Sequence, residues 1–173
     1  MTDVIWDVLI VGAGPAGLTA GLYAARGNLR SVLLEKGLPG GELLNTDLIE
    51  DYPGFITTTG MELAQKMQEH AEKFGLRIEQ ATVANIRRDG GLFVTETEEG
   101  PEYTSRSVIM TAGGVPRKLE VPGEARLAGR GVSYCAVCDG PLFKGKVLAV
   151  VGGGDSAFQE GLFLTRFAKK LYV

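Results

Sequence analysis

Two cysteines separated by two residues, Cys135-Ala136-Val137-Cys138, are the only cysteines in the chain. Two intervening residues let a tight turn bring the sulfurs to bonding distance, so the pair reads as a redox dithiol, with half a zinc site or two inert buried thiols as competing readings. His70 is the only histidine among 173 residues, and a tetrahedral zinc site would need several carboxylates to complete it. No metal is expected. Asp139 follows Cys138 directly. A carboxylate beside a thiolate disfavours the anion, so a chemical role for Asp139 is that of proton donor or acceptor; its structural role would be to open the turn at Gly140.

Two glycine loops stand on either side of this pair. Gly12-Ala13-Gly14-Pro15-Ala16-Gly17 is a G-x-G-x-x-G sequence in which the first glycine permits the tight turn and the second lets backbone approach a pyrophosphate. The third permits close packing of helix on strand. Glu35 follows roughly 20 residues on, placed to accept hydrogen bonds from a ribose hydroxyl. Gly152-Gly153-Gly154-Asp155-Ser156-Ala157 repeats the pattern with alanine last, and the acid or arginine that should follow lies beyond Val173. Two fingerprints in one chain suggest a flavin dinucleotide and a nicotinamide dinucleotide, because a two-cofactor electron relay needs two such sites.

Each loop requires a strand before it and a helix after it. The apolar run Ile5 to Val11 predicts a buried strand, Pro15 to Arg26 a helix stopped by Gly27, and Ser31 to Glu35 a second strand, making a βαβ unit. Residues 37–58 read as a long irregular loop, and Met61 to Phe74 as an amphipathic helix with Leu63, Met67, Ala71 and Phe74 packing on the core. His70 departs from that stripe and reads as solvent-facing. Residues 76–111 predict an antiparallel meander (around Arg77-Ile78, Val83 to Ile86, Leu92 to Thr95 and Tyr103-Thr104) leading into a strand, Ser107 to Thr111. Val115 to Gly131 resembles a linker. Lys146 to Val151, Asp155 to about Lys169, and Leu171 to Val173 predict strand, helix and the start of a further strand. A second βαβ unit cut at that point points to a fragment.

Composition removes other classes. A net charge of −3 gives no basic footprint for nucleic acid. No apolar stretch approaches about 20 residues, and Asp3 and Asp7 stand where a secretory signal needs a basic end and an apolar core, so a cytoplasmic protein without a membrane span is expected. Glycine, 25 of 173 residues, is roughly twice average usage without a collagen-like period.

The segments GAGPAG at 12–17, GGEL at 40–43, EDYPG at 50–54, CAVCDG at 135–140 and GGGDSA at 152–157 resemble, in order and spacing, the low-molecular-weight, bacterial-type thioredoxin reductases. The resemblance implies an α/β, FAD/NAD(P)-binding Rossmann-like three-layer ββα fold with the start of a second similar domain. It implies an FAD-binding domain over 1–114 and the start of an NADPH-binding domain over 115–173, with a hinge near Gly113 to Pro116. Electrons would pass from NADPH through FAD to a Cys135–Cys138 disulfide and on to thioredoxin. Cys138 would face the flavin, Cys135 would exchange with thioredoxin, and Asp139 would protonate a departing thiolate. Gly12, Ala13, Gly14, Pro15, Ala16 and Gly17 would hold the FAD pyrophosphate and Glu35 the adenosine ribose. Lys36, Gly40, Gly41, Glu42, Leu43, Val83, Ala112 and Gly113 would complete the FAD contacts. Gly153, Gly154, Asp155, Ser156 and Ala157 would meet NADPH. A homodimer is implied for the full-length protein. Asp51 and Ala112 depart from the family's usual Asn and Thr. A ferredoxin-driven reductase, a disulfide oxidase and a non-catalytic flavin-binding remnant are the alternatives.

Overall fold

In the computed structural model, which describes residues 4–173, the run Ile5–Val11 is strand β1, followed by helix α1 (Pro15–Arg26) and strand β2 (Ser31–Glu35). Helix α2 is Gly60–Lys73, and four strands follow: β3 (Arg77–Gln80), β4 (Val83–Asp89), β5 (Leu92–Thr97) and β6 (Glu102–Met110). Pro15 starts α1 where its missing N–H costs nothing. Thr59 starts α2 through a capping box: its Oγ1 accepts from Glu62 N at 3.2 Å while Glu62 Oε2 accepts from Thr59 N at 3.3 Å.

These strands form one six-stranded sheet in the order β3-β2-β1-β6-β5-β4. β1 lies parallel between β2 and β6, with Ile10 opposite Leu33 on one side and Ile109 on the other. Alternate residues divide the core, as strand geometry requires. Val8, Ile10 and Leu33 pack beneath Leu18 of α1 and Ala71 of α2. Leu9, Val11, Val32 and Leu34 face the opposite way, covered by Ala81, Val83, Ile86 and Tyr103. β4 is three places from β1 in the sheet order, so Val83 and Ile86 reach this face only because the sheet folds over along β6. The result is three layers: helices, parallel strands and an antiparallel ribbon. Leu9, Ile10, Leu18, Leu33 and Leu34 are fully buried, each contributing about 1.5–3 kcal/mol.

Several elements differ from the sequence expectation. Arg77-Ile78 belongs to β3, which pairs parallel with β2 and not in the meander; a four-residue strand carries no sequence mark of its partner's direction. Tyr103-Thr104 and Ser107 onward are one strand, whose first part pairs with β5 while it also runs along β1. The 37–58 loop contains a 3-10 turn, Gly41–Asn45, and a bridge between Ile49 and Thr58. Phe74, expected in the core, is exposed, stacked on His70 at 5.6 Å and beneath the Arg26 guanidinium at 4.7 Å.

The chain divides into two compact units at Val115/Pro116. The second contains helices α3 (Glu124–Leu127) and α4 (Ala136–Asp139), strand β7 (Val147–Ala149), helix α5 (Asp155–Leu164) and strand β8 (Lys170–Tyr172). β7 and β8 pair in parallel around α5. α3 lies inside the expected linker. α5 ends at Leu164, well before Lys169: Arg166 N and Phe167 N turn back only three residues, to Phe163 O and Leu164 O, and Lys169 N already pairs with Lys146 O.

Candidate functional site

The first glycine loop is closed by the protein's own backbone at two of its three glycines. Gly12 has φ +96°, and a Cβ there would lie 2.5 Å from the Thr111 carbonyl oxygen; a Cβ on Gly17 would lie 1.9 Å from the Gly12 carbonyl oxygen. Gly14 differs. Its φ of −70° and ψ of −179° suit any residue, and a Cβ there would meet only Gly41 Cα, at an ordinary 3.9 Å. Neither backbone nor packing demands glycine at 14. The remaining demand is close approach from outside, at the head of α1, where the first N–H groups lack helical partners. A dinucleotide pyrophosphate fits that cradle.

Other expected residues converge on this loop. Glu35 Oε2 accepts from Ala13 N at 2.7 Å and Oε1 from Gly37 N at 2.9 Å, so the carboxylate stands at the loop's edge. Gly40 N donates to Ala13 O at 2.8 Å, and Gly40 and Gly41 take φ values of +137° and +56°. Thr111, which sequence reading passed over, donates through Oγ1 to Val11 O at 2.8 Å and Gly12 O at 3.0 Å, pinning the loop from β6. Its only sequence signal is a hydroxyl at the end of a strand beside Ala112. Ala112 adjoins Gly12, and Pro15 and Ala16 lie at the helix head. Lys36, Glu42, Leu43 and Gly113 follow Glu35, Gly41 and Ala112 in the chain, and Val83 begins β4. Lys36 O accepts from Gln80, Glu42 Oε2 from Asn45, and Val83 lies in the second-face core. The Leu43 carbonyl backs onto Gly60, where a Cβ would be 1.8 Å away, and Gly113 has φ +67° in open space.

The second unit repeats this logic at Gly152-Gly153-Gly154. Gly152 has φ +150° and a Cβ there would press on Ala157 at 3.0 Å, whereas Gly153 and Gly154 have nothing within 4 Å. Gly154, at φ −99° and ψ 176°, precedes α5 in a conformation open to any residue. Asp155 and Ser156 are exposed at the head of α5, and Ala157 N donates to Gly154 O at 3.0 Å. A dinucleotide phosphate fits this second cradle on the same grounds.

Cys135 and Cys138 are joined in a disulfide with Cα atoms 5.4 Å apart. Cys135 caps α4, its Sγ accepting from Cys138 N at 3.3 Å. Cys138 is exposed, while Cys135 and Asp139 are half-buried. The turn is tied down at its N-terminal side. Ser133 Oγ accepts from Cys135 N at 3.1 Å, and Glu160 Oε2 accepts from Ala136 N at 3.2 Å. Buried Glu124 accepts from Leu119 N at 3.0 Å, Glu120 N at 2.7 Å and the Tyr134 hydroxyl at 2.7 Å. The bonds from Leu119 and Tyr134 hold the Glu124 carboxyl below the usual carboxylate range, and the same carboxylate pushes the Tyr134 phenol up. Glu124 and Glu160 were not legible as site residues: Glu124 bonds two nearby amides and the Tyr134 hydroxyl, and Glu160 a backbone amide 24 residues earlier, in patterns that no motif marks.

Two glycine loops at strand-to-helix junctions, one in each unit, and a C-x-x-C disulfide seated on the helix that follows the second are features of the dinucleotide-binding disulfide oxidoreductase class. The chain belongs to the pyridine nucleotide-disulphide oxidoreductase family, whose pattern matches residues 6–173. It is 52% identical to the thioredoxin reductase of Bacillus subtilis strain 168 over 171 residues, 99% of this chain and 54% of that protein. The crystal structure of thioredoxin reductase from Streptococcus pyogenes superposes with a TM-score of 0.91 at 48% identity, covering 98% of this chain and 55% of the other. A ferredoxin-flavin thioredoxin reductase from Clostridium acetobutylicum is similar at 35% identity and a TM-score of 0.58, covering 96% and 58%. The chain thus spans about half the length of the relatives it matches. Among the described residues, no helix is long and apolar enough to cross a membrane.

Proposed function

We propose that this chain carries the FAD loop, the redox disulfide and the first part of the nicotinamide site of a thioredoxin-disulfide reductase using FAD and NADPH. The observation that carries the reading is the Cys135–Cys138 disulfide held against the helix that follows the second glycine loop. In this reading residues up to Gly114 form the FAD-binding domain and those from Val115 onward begin the NADPH-binding domain.

The 12–17 loop, Glu35, Gly40, Gly41 and Ala112 would hold FAD, with Lys36, Glu42, Leu43, Val83 and Gly113 around it. Gly153, Gly154, Asp155, Ser156 and Ala157 would hold NADPH. When bound, the flavin supplies two electrons to the disulfide. What the chain itself does is hold the sulfurs and move protons. Cys138 takes the electron pair as the S–S bond breaks, Cys135 leaves as the thiolate that attacks the thioredoxin disulfide, and Asp139, one residue from Cys138, supplies or accepts the proton. Cys138 N donating to Cys135 Sγ at 3.3 Å stabilises that thiolate. A dithiol that cycles belongs in a reducing compartment such as the cytoplasm. Homodimeric assembly of the longer protein is part of the same proposal. Ferredoxin as electron donor is the second reading, prompted by the Clostridium relative; the open 152–154 loop favours a dinucleotide.

Mixing the dithiothreitol-reduced, desalted chain with oxidised thioredoxin tests this reading. The expected result is disulfide exchange, and a trapped mixed disulfide through Cys135 when Cys138→Ser meets thioredoxin. Exchange surviving in Cys135→Ser would sink the assigned order of the sulfurs, and no exchange at all would sink thioredoxin as substrate.

A further inference from the structure

Two backbone N–H groups of the turn between the two sulfurs have different fates. Cys138 N turns inward to Cys135 Sγ at 3.3 Å, whereas Ala136 N turns away to Glu160 Oε2 at 3.2 Å. Glu160 is half-buried on α5, the helix that begins at the second glycine loop, and Ala136 is buried. At the other end of α4 the fit to α5 is close: a Cβ on Gly140 would lie 2.9 Å from Leu164 Cδ2. The dithiol turn is therefore seated on α5 at both ends, and at the Cys135 end the seat is a carboxylate. The charged groups on α4 and α5 are Asp139, Asp155 and Glu160, all acidic, so no cation on either helix offsets it.

We propose that Glu160 is a positioning residue for the dithiol that holds the turn on α5 and suppresses thiolate formation in the reduced pair, coupling the nucleotide-loop helix to sulfur reactivity. The inference rests on the redox reading of Cys135 and Cys138. Reduction adds two electrons to the disulfide and Cys135 departs as a thiolate; uptake of two protons in all gives the resting dithiol, from which the attacking thiolate is restored by loss of one proton to solvent or to Asp139. The Glu160 carboxylate, which accepts from the amide next to Cys135, opposes that proton loss. In a solvent-rich dielectric the effect is about three-fold in thiolate stability, or about half a pH unit in the titration midpoint.

Alkylation of the reduced chain by iodoacetamide, followed at each cysteine by mass spectrometry from about pH 6 to about pH 10, reads this midpoint. Glu160→Gln keeps an oxygen for Ala136 N and removes the charge. It is expected to lower the midpoint by about half a unit and raise the rate at neutral pH about two-fold, because lower basicity offsets part of the gain in thiolate. Glu160→Asp, which keeps the charge, is expected to retain the original midpoint. Hydrogen exchange at β7 and β8 verifies that the variants keep their fold. An unchanged midpoint in a folded Glu160→Gln chain overturns the proposal, as does an equal drop in Glu160→Asp. The midpoint is measured without thioredoxin. Failure of exchange with thioredoxin and failure of this inference therefore give different results.

Discussion

Replacing Gly14 and Gly17 separately by alanine distinguishes a glycine kept for a ligand from a glycine kept for the fold. At Gly17 the new methyl would stand 1.9 Å from the Gly12 carbonyl oxygen and 2.8 Å from Thr111 Oγ1. No rotamer relieves a clash with backbone, so α1 must lift off β1, at the upper end of the 1–3 kcal/mol typical of overpacking or beyond. The better helix propensity of alanine returns about 1 kcal/mol. A net loss of about 2 kcal/mol or more is expected, a fall in midpoint of about 8 °C for a unit of this size. At Gly14 the methyl meets nothing closer than 3.9 Å in an ordinary backbone conformation. A slightly poorer N-cap and a less flexible unfolded chain then nearly cancel, leaving a change of under about 0.5 kcal/mol. Trp6 is the only tryptophan and is buried in the first unit, so its fluorescence during thermal unfolding reports that unit alone. Titration with FAD supplies the other half of the comparison: Gly14→Ala should lose about ten-fold or more in affinity, about 1.4 kcal/mol, while remaining folded. If Gly14→Ala melts as early as Gly17→Ala, or binds FAD as the parent chain does, the assignment of Gly14 to ligand approach is wrong.

Thr111→Val should lower stability by about 1 kcal/mol, read by the same fluorescence, because it removes the hydroxyl that bonds Val11 O and Gly12 O. Thr95→Val should act oppositely and stabilise the first unit by up to about 1 kcal/mol in urea unfolding, since Thr95 Oγ1 is buried without a hydrogen-bond partner. Glu124, held below the usual carboxylate range chiefly by the Leu119 and Tyr134 bonds, adds stability that is full above the unfolded value and lost as pH falls through the folded one. Unfolding of the second unit by acid, followed by hydrogen exchange at Tyr134 and Cys135, should therefore lose its dependence on pH below that value in Glu124→Gln. Tyr103, raised to about 12 by burial and then by its bond to Glu79, should ionise late in an absorbance titration. Its contribution is complete below about 10 and disappears as pH rises through about 12; ionisation near 10 in the folded chain would contradict the packing described.

The parts of this fold that sequence made legible are those whose partners are near in the chain. β1, α1 and β2 follow one another within a single βαβ unit, and each carries its own stop signal, Gly12, Gly27 or a polar turn. β3 failed because its direction is decided by β2, more than 40 residues earlier in the chain. The unity of β6 was hidden because its two halves serve different partners and so follow different burial patterns. Phe74 fits an apolar stripe by periodicity, yet the helix ends there and the ring turns outward toward Arg26.

The same division separates the site residues that motifs revealed from those that only coordinates reveal. A glycine loop is a local device: its turn, its helix head and its missing side chains all lie within six residues, so Gly12 to Gly17 announce themselves. A tether is a relation between segments. Glu124 meets Tyr134 and two backbone amides, Glu160 meets Ala136 from α5, and Thr111 meets Gly12 from the far end of β6. Each is a common residue in an undistinguished stretch, and none has a spacing rule. The consequence for the dithiol is direct. Its motif fixes which atoms can react, but the ease with which they shed protons depends on how Ala136 N and Cys138 N are divided between a carboxylate and a sulfur. The C-x-x-C turn itself sets the fate of Cys138 N, but that of Ala136 N is set by α5, so on the proposal above another chain with the same four residues and no acid at the Glu160 position should hold a more acidic thiol.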